Sequence, residues 1–415
     1  MLTADHSMTT GESRGRIFST RIPGLFCLTL LVFFINIHPV SGTNIPGSQK
    51  ALQQVQAVFP NFTDDLAFKH LALAIRRNID YLKRLSPQKT FAYGPHRFTC
   101  RQVLESQEAF LRLISKGLSE AQFNRRIRKQ FRIYRAAGQV GSNKVLFTGY
   151  YAPEFDAVLK RNEKFKYPLY KSPKDLVRID LSRFNAKFKG ERIIARVSGN
   201  KVLPYYTRHQ IEIEKALHGK RLEIAWLKDP MDVYLLHIEG AGRLRLSDGS
   251  VMNVNCSASN GRPYRSFGRY LLNRGYLTPG ELSVSKIRRY LSKNQNVFNE
   301  ILGHNDSYTF FKKVKHGPLG NINVPLTVGR SLALDAGLFP KGALAFISSR
   351  KPTMNRLGRI TGWRDFSRFV LNQDTGSAIK GAGRADLFWG SGPGAETAAW
   401  SQKHDGDLYV LIQKR

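Results

Sequence analysis

The sequence FSRFVLNQDTGSAIKGAGRADLFWG, residues 366–390, joins a short apolar run to a glycine-rich loop and a second apolar run. FSRFVL (366–371) predicts a strand, and tight glycine turns follow it. Five other runs show the same signals of strands: KVLFTGYY (144–151), VYLLHIEG (233–240), RLRLSDGSVMNVN (243–255), GALAFIS (342–348) and DLYVLIQ (407–413). Asp248-Gly249 predicts a hairpin turn within the third of them. Short strands, tight turns and no βαβ alternation predict an α+β fold, mainly β, with a barrel-like core.

Before residue 144 the sequence is predicted to be helical. Apolar residues at helical spacing predict a first helix over Asp64–Leu85, capped by Thr63 and ended by Ser86-Pro87. A second helix is predicted over Arg101–Lys116. A third, with a basic face, opens at the capping box that starts with Ser119 and stops near Gly138. Shorter helical segments are predicted over 207–217 and 283–302.

Composition limits the function classes. The chain has 415 residues, of which 42% are hydrophobic, so a disordered chain is excluded and two domains are expected. Lysine and arginine number 65 against 31 acidic residues, which gives a net charge of +34. Such an excess predicts an acidic partner, which at this point is nucleic acid, anionic lipid or an acidic polymer.

Cysteine and histidine usage argues against metal chemistry. The three cysteines exclude a disulfide scaffold and a cysteine-rich zinc site. Cys100 and Cys256 are either a single disulfide or two free thiols, and the sequence leaves both open. The ten histidines form no HExxH motif. We therefore expect no metal and no cofactor.

Residues 1–42 have the pattern of an export signal. Basic residues precede an apolar run of 13 residues, Leu25–Ile37, and small residues follow at Val40-Ser41-Gly42. The run is short for a membrane span of ~20 residues, although an uncleaved anchor remains an alternative. Bulky residues precede Cys27, so it is not a lipoprotein cysteine. Export also makes nucleic acid an unsuitable partner.

Three aspartates in glycine-rich loops are the candidate chemistry: Asp335, Asp374 and Asp386. Aspartates between apolar residues and turn glycines are often partly buried, which raises a carboxyl pKa and makes a general acid. The alternative for each is a carboxylate that only caps its own turn. Asp374-Thr375-Gly376 is similar to an aspartic-protease triplet, but such enzymes need two facing lobes, and the imperfect Asp335 copy lies only 39 residues upstream.

Several motifs carry a family resemblance. FTGYYAP (147–153), IEGAGRL (238–244) and GRPYRSFG (261–268) resemble the MltA family of lytic murein transglycosylases, and the three aspartate loops resemble the 3D domain that ends those proteins. The resemblance implies a double-psi β-barrel, formed by residues 43–156 and 311–415. It also implies a second β-rich domain, residues 157–310, inserted into the barrel.

The resemblance further implies cleavage of the β-1,4 bond between N-acetylmuramic acid and N-acetylglucosamine, with 1,6-anhydromuramic ends. Asp386 corresponds to the acid/base, Asp374 to its supporting neighbour and Asp335 to a more structural position. The implied glycan-binding residues are Tyr150, Tyr151, Glu239, Gly240, Gly242, Arg243, Asp335, Lys380 and Trp389. Glu239 departs from the family pattern, since many relatives carry glutamine there.

The expected partner is a peptidoglycan glycan strand, bound by a monomer. We expect the periplasm of a Gram-negative bacterium, with peripheral association with membrane or cell wall and contact with other cell-wall enzymes. Two alternatives remain. One is a non-catalytic peptidoglycan-binding protein that uses the same groove. The other is a basic scaffold for nucleic acid or lipid, which rests on charge alone.

Overall fold

The computed structural model describes residues 51–278, 284–376 and 378–414. The predicted export signal, including Cys27, lies outside the described residues. The strands are β1 (Leu52–Gln54), β2 (Thr90–Tyr93), β3 (His96–Thr99), β4 (Phe131–Ala136), β5 (Val145–Ala152), β6 (Glu154–Val158), β7 (Tyr167–Tyr170), β8 (Leu176–Asp180), β9 (Arg192–Ser198), β10 (Lys201–Pro204), β11 (Glu223–Leu227), β12 (Ala241–Leu246), β13 (Val251–Ser259), β14 (Thr309–Val314), β15 (Ser331–Ala333), β16 (Leu344–Met354), β17 (Ile360–Asp374), β18 (Arg384–Ser391) and β19 (Lys403–Gln413).

The helices are α1 (Leu71–Lys83), α2 (Cys100–Ile114), α3 (Glu120–Gln130), α4 (Arg208–Glu212), α5 (Pro230–Glu239), α6 (Phe267–Asn273), α7 (Val284–Lys293), α8 (Gln295–His304) and α9 (Pro393–Ser401). None of the helices within the described ranges is long and apolar enough to cross a membrane.

Six strands close into a barrel in the order β19-β16-β17-β15-β18-β5, because β5 also pairs with β19. The pairs β15–β17 and β18–β5 are parallel, and the others are antiparallel. Strands β4 and β1 extend the sheet from β19. The predicted class, α+β and mainly β with a barrel core, is confirmed.

Alternation along the barrel strands separates two cores. Ala345, Ile347 and Val370 belong to one apolar cluster of the barrel strands. Their neighbours Phe346 and Phe369 belong to a second cluster, which also holds the apolar faces of α1, α2 and α3. The predicted helical lead-in therefore covers one side of the barrel.

A second sheet, in the order β14-β13-β12-β6-β11-β7, is formed between barrel strands β5 and β15 in the chain. A small sheet, β10-β9-β8, lies within the same part of the sequence. The boundaries 43–156, 157–310 and 311–415 stay a prediction. The observation that supports them is that both sheets fall between Glu154 and Val314.

Local signals predicted most elements correctly. The run at 144–151 is β5, the hairpin at Asp248-Gly249 joins β12 to β13, and the three C-terminal runs lie in β16, β17 and β19. The capping boxes at Ser119 and Thr207 are formed as predicted, although α4 ends at Glu212. The predicted segment 283–302 is two helices, α7 and α8.

Three predictions of secondary structure are wrong. VYLLHIEG lies in helix α5, which Asp229 caps and Pro230 opens; it is buried on almost every side, so its sequence shows no helical period. The third helix ends at Gln130, because residues 131–136 pair with β19 as strand β4. The first helix starts at Leu71, since Ala67, Phe68 and His70 have positive φ.

Cys100 and Cys256 are both free thiols, so the disulfide alternative is wrong.

Candidate active site

Two of the three loop aspartates emerge from neighbouring positions of the barrel. Ala333 of β15 pairs with Asp374 of β17 on one side and with Asp386 of β18 on the other. Residues opposite each other in a sheet project from the same face, and adjacent strands lie about 4.8 Å apart. The strand register therefore brings Asp374 and Asp386 to one site, although they are separated by a glycine-rich loop.

Asp386 is held by the first strand of the barrel. Strand β18 runs parallel to β5 with Asp386 opposite Thr148, whose hydroxyl donates to Asp386 Oδ1 at 2.5 Å. Burial raises the pKa of Asp386 to about 6, and the Thr148 hydrogen bond and the charge of Arg384 offset only part of that rise. Asp386 is thus a carboxyl that can give up and regain a proton near neutral pH.

Asp374 is also buried, and it is bound by backbone. Its Oδ1 accepts from the N–H groups of Asn321 and Thr375, each at 2.9 Å. Burial raises the pKa of Asp374 to about 6, and these two hydrogen bonds lower it by less, while the charge of Asp386 adds to the rise. These contacts fix Asp374 in place beside Asp386.

The site opens into a cavity of about 390 Å³ between the barrel and the second sheet. The barrel side contributes Tyr150, Tyr151 and Asp374, among others. The opposite wall comes from the end of α5 and from β12, β13 and β14, including Glu239, Gly240 and Lys312. Gly240 ends α5 with φ of +70°, a conformation that favours glycine, and so leaves Glu239 at the cavity.

Glu239 is a third carboxyl of the site. Burial raises the pKa of Glu239 to about 8, and the charge of Asp386 contributes to the rise. The Tyr151 backbone N–H lowers it only in part. At neutral pH Glu239 is therefore protonated and can donate a hydrogen bond as well as accept one.

The buried hydroxyl of Tyr150 lies near Asp374 and that of Tyr151 near Glu396, but neither makes a hydrogen bond of good geometry with the residues that the structure describes. Burial raises the pKa of both, and the charges of Asp374 and Asp386 add to the rise at Tyr150. Buried hydroxyls normally have a partner. At a cavity wall we expect a hydroxyl or carbonyl group of the ligand to fill that role.

Trp389 lies against the barrel core, as one of the residues packed on its apolar cluster. A Cβ added to Gly149 would meet the Trp389 indole at 2.6 Å and Ala399 at 2.7 Å, so this position of the FTGYYAP motif must be glycine. The indole N–H of Trp389 is buried and has no hydrogen-bond partner in the described part of the chain. Trp389 supports the strand that carries Asp386.

Five predicted binding residues, Trp389 among them, do not line the cavity, and neither does Asp386, whose charge acts on the lining residues Tyr150 and Asp374. Gly242 is packed, since a Cβ there would lie 2.2 Å from Leu236. Arg243 faces Glu154 at 3.3 Å. The carboxylate of Asp335 accepts from the backbone N–H groups of Gly337 and Gly381, and thereby ties two loops together. Lys380 is exposed on the second of these loops.

Sequence reasoning missed Thr148, Asn321 and Lys312. Thr148 stands inside the FTGYYAP motif, so its position was available as a signal. Asn321 and Lys312 lie in segments without a motif, and only the fold brings them to the cavity.

A larger cavity, about 630 Å³, lies elsewhere in the second sheet and its helices. Its arginines are engaged by its own acids: Arg245 with Asp156 at 2.8 Å, and Arg288 with Asp232 at 2.6 Å. No group of three or more potential metal ligands occurs within the described ranges. The Asp386 site therefore remains the candidate for chemistry.

Comparison with known proteins identifies two family models and several relatives that match this chain. A family model described as the MltA specific insert domain matches residues 146–312, and one for the 3D domain matches residues 330–412. The chain is 30% identical to membrane-bound lytic murein transglycosylase A of Vibrio cholerae over 282 residues, 66% of this chain and 68% of that protein. The Escherichia coli K12 protein of the same name is 28% identical over 288 residues, 68% of this chain and 70% of that one.

The fold is also similar to a solved structure. The crystal structure of a membrane-bound lytic murein transglycosylase from Agrobacterium tumefaciens superposes with a TM-score of 0.71 and 29% identity. The match covers 88% of this chain and 98% of that chain.

Proposed function

This chain belongs to the MltA family of lytic murein transglycosylases, and we propose that it cleaves murein glycan strands with Asp386 as both acid and base. The observation that carries the assignment is the environment of Asp386. It is a half-buried carboxyl with a raised pKa, oriented by Thr148, and its charge acts on Asp374 and Tyr150, which line the cavity between the barrel and the second sheet. The substrate is the β-1,4 bond between N-acetylmuramic acid and N-acetylglucosamine.

In the first step protonated Asp386 donates its proton to the glycosidic oxygen. The bond from C1 of the muramic sugar to that oxygen breaks, and the leaving sugar departs with a hydroxyl group. A pKa of about 6 suits this role, because an ordinary aspartate is almost fully ionised at neutral pH. Thr148 fixes the carboxyl that must reach the oxygen.

In the second step the Asp386 carboxylate accepts the proton of the C6 hydroxyl of the same muramic sugar, whose oxygen attacks C1. This closes the 1,6-anhydro ring and returns Asp386 to its protonated state. Because the nucleophile is part of the substrate, proximity replaces a bound water, and no second carboxylate is needed as its base. One acid/base group is sufficient for this chemistry.

Asp374 is proposed as a positioning residue. Two backbone N–H groups bind its carboxylate, so it is unsuited to attack C1. Its proximity to Asp386 resists joint ionisation of the two carboxyls and so favours a proton on the pair. Tyr150, Tyr151 and Glu239 are proposed to contact the sugars at the cavity wall. Gly240 is proposed to shape that wall. Gly242, Arg243, Asp335 and Trp389 lie outside the cavity lining and are proposed to support the strands and loops around it, and exposed Lys380 is proposed to meet glycan outside the cavity.

Incubation with purified sacculi tests the proposal. We expect soluble muropeptides with 1,6-anhydromuramic ends, identified by mass spectrometry, and we expect none from Asp386→Asn. Muropeptides with reducing muramic ends would instead identify a hydrolase. Binding of the unsubstituted protein to sacculi with no released product would favour the non-catalytic alternative.

We propose that the protein works in the periplasm as a monomer and adheres to the sacculus through its positive charge. Carboxylates of the stem peptides are the complementary groups, and the net charge of +34 gives many weak contacts. Binding to sacculi should therefore fall steeply as salt is added. Binding that is independent of salt would contradict this adhesion.

A further inference from the structure

The small sheet β10-β9-β8 has two faces with different environments. On the inner face, Leu176 and Ile194 pack against an apolar cluster of the second domain. Arg196, also on this face, lies over the Tyr206 ring at 4.3 Å. The opposite side of the sheet therefore points away from the body of the protein.

The outer face consists of apolar residues that the strand register places side by side. Ile193 pairs with Ile179, Val197 pairs with Val202, and Ala195 pairs with both Val177 and Pro204. Every residue of this face is apolar: Val177, Ile179, Ile193, Ala195, Val197, Val202 and Pro204. Val197, Val202 and Ile193 are 58%, 56% and 44% exposed, Val177 and Ile179 are half-buried, and Ala195 is buried among them. We call these seven residues the outer face.

The connection between β8 and β9 starts from the end of the sheet at which Ile179 pairs with Ile193. Phe184 is 75% exposed there. Arg183, Lys187 and Lys189 are exposed in the same connection, and none has an ion pair among the residues described. The segment 171–204 as a whole has 9 lysines and arginines against 3 acidic residues, a net charge of +6. An exposed apolar surface is thus bordered by cations.

We propose that the outer face, with Phe184 and its neighbouring cations, binds the surface of an anionic lipid bilayer. The aliphatic side chains would enter the boundary between headgroups and acyl chains, while lysine and arginine contact lipid phosphates. This is a binding surface outside the catalytic cavity, and it does not depend on the role of Asp386.

Charge and composition favour a bilayer over other occupants. A second copy would bring two surfaces of net charge +6 together, which repulsion opposes. A glycan strand prefers flat aromatic rings and hydrogen-bonding groups, whereas the outer face offers only aliphatic side chains. An anionic bilayer satisfies both the apolar and the cationic part of the surface.

Tryptophan emission from the full chain tests the location of the contact. Phe184→Trp is compared with Leu357→Trp, because the two parent side chains are equally exposed, at 75% and 77%, and Leu357 lies in the β16–β17 turn. The difference spectrum against the parent protein removes the four native tryptophans. With phosphatidylglycerol-containing vesicles, we expect a blue shift at 184 and none at 357.

If the emission of Phe184→Trp is already blue-shifted relative to that of Leu357→Trp before vesicles are added, part of the protein itself or a second copy covers the surface. Equal shifts at both positions would indicate general adhesion by charge. Each result would overturn the proposal. Pure phosphatidylcholine vesicles should give no shift, since they lack the anionic lipid.

Vesicle flotation gives a second, quantitative test. Val197→Ser/Val202→Ser should weaken binding to anionic vesicles about tenfold, because the inserted aliphatic groups are lost. The control Val58→Ser/Val140→Ser changes exposed valines elsewhere and should leave binding unchanged. Both variants should release muropeptides at the parent rate. If Val197→Ser/Val202→Ser floats with anionic vesicles as the parent does, the proposal is overturned. It is also overturned if this variant loses binding to sacculi but keeps binding to vesicles.

Discussion

Two pairs of aspartates contact strand β17, and their surroundings differ in the cations that they face. Near the middle of the strand, Asp64 receives a two-point ion pair from buried Arg330, at 2.6 and 2.8 Å. Asp65 is bound by Arg368 and Lys351. At the end of the strand, Asp374 is bound by two backbone N–H groups. Asp386, on β18, is bound by the Thr148 hydroxyl, and the charge of Arg384 offsets only part of the rise in its pKa.

The consequence is opposite shifts in pKa for the same residue type. Burial alone would raise the pKa of Asp65, but the hydrogen bonds and charges of Arg368 and Lys351 outweigh it and hold the pKa below its usual value. At Asp374 and Asp386 burial dominates and the pKa rises to about 6. Asp65 therefore remains an anion that holds the helical lead-in to the barrel, while Asp374 and Asp386 can exchange a proton.

The largest expected effect is on catalysis. Asp386→Asn should lower kcat for muropeptide release by about 10²–10⁴-fold, because the amide can neither give nor take the proton. Asp365→Asn, on an exposed side chain of strand β17, is the control and should leave kcat unchanged. An active Asp386→Asn together with an inactive Asp374→Asn would mean that the other loop supplies the acid.

The next effect is on stability. Arg330→Met should lower the free energy of unfolding by about 3–5 kcal/mol, since it leaves Asp64 buried without its cation. Urea unfolding measures the change. The specific activity of the folded fraction should stay close to that of the parent, and Asp64→Leu/Arg330→Met should recover part of the loss. A variant as stable as the parent would remove the distinction between the two pairs.

A smaller effect is a gain in stability, which we expect when the carboxyl of Asp386 is removed. Between pH 3.8 and about 6 the unfolded Asp386 has lost its proton while the folded one keeps it, so stability falls as pH rises through this window. Asp386→Asn has no such penalty. It should be more stable than the parent by up to about 3 kcal/mol above pH 6 and equally stable below pH 4. If Asp386→Asn were less stable than the parent at pH 8, the predicted direction of the effect would be wrong.

The smallest expected effect concerns Glu239. The parent rate should fall as pH rises through about 6, where Asp386 loses its proton, and fall again through about 8, where Glu239 ionises. Glu239→Gln should change the rate at pH 6 less than about tenfold and lack the second fall. A pH profile identical to that of the parent would exclude Glu239 from the reacting groove.

Local signals in the sequence predicted what depends on a few neighbouring residues. Capping boxes at Ser119 and Thr207, the Asp248-Gly249 turn and five of the six strand runs are of this kind, and they are formed. The prediction of α5 as a strand failed because a helix that is buried on almost every side has no polar face. The prediction of β4 as helix failed because pairing with β19, far along the chain, decides its state.

For the candidate site, too, the sequence predicted individual residues but not how the fold groups them. Asp374, Asp386, Tyr150, Tyr151 and Glu239 were predicted from motifs, through the family resemblance. Their grouping depends on contacts that no local pattern encodes, such as the parallel pairing of β5 with β18. The contribution of Asn321 and the role of Asp64 as a buried partner of Arg330 depend on the fold in the same way.

Carboxyl titration by NMR tests the central claim most directly, which is that burial outweighs the Thr148 hydrogen bond and the charge of Arg384 and makes Asp386 an acid near neutral pH. Protein with 13C-labelled aspartate carboxyls is titrated from pH 3 to 8, and signals are assigned by comparison with Asp386→Asn, Asp374→Asn and Asp65→Asn. We predict that the Asp374 and Asp386 signals titrate near pH 6, while Asp65 stays ionised down to below 3.8. An Asp386 signal that titrates at or below 3.8, together with that of Asp65, would contradict the account.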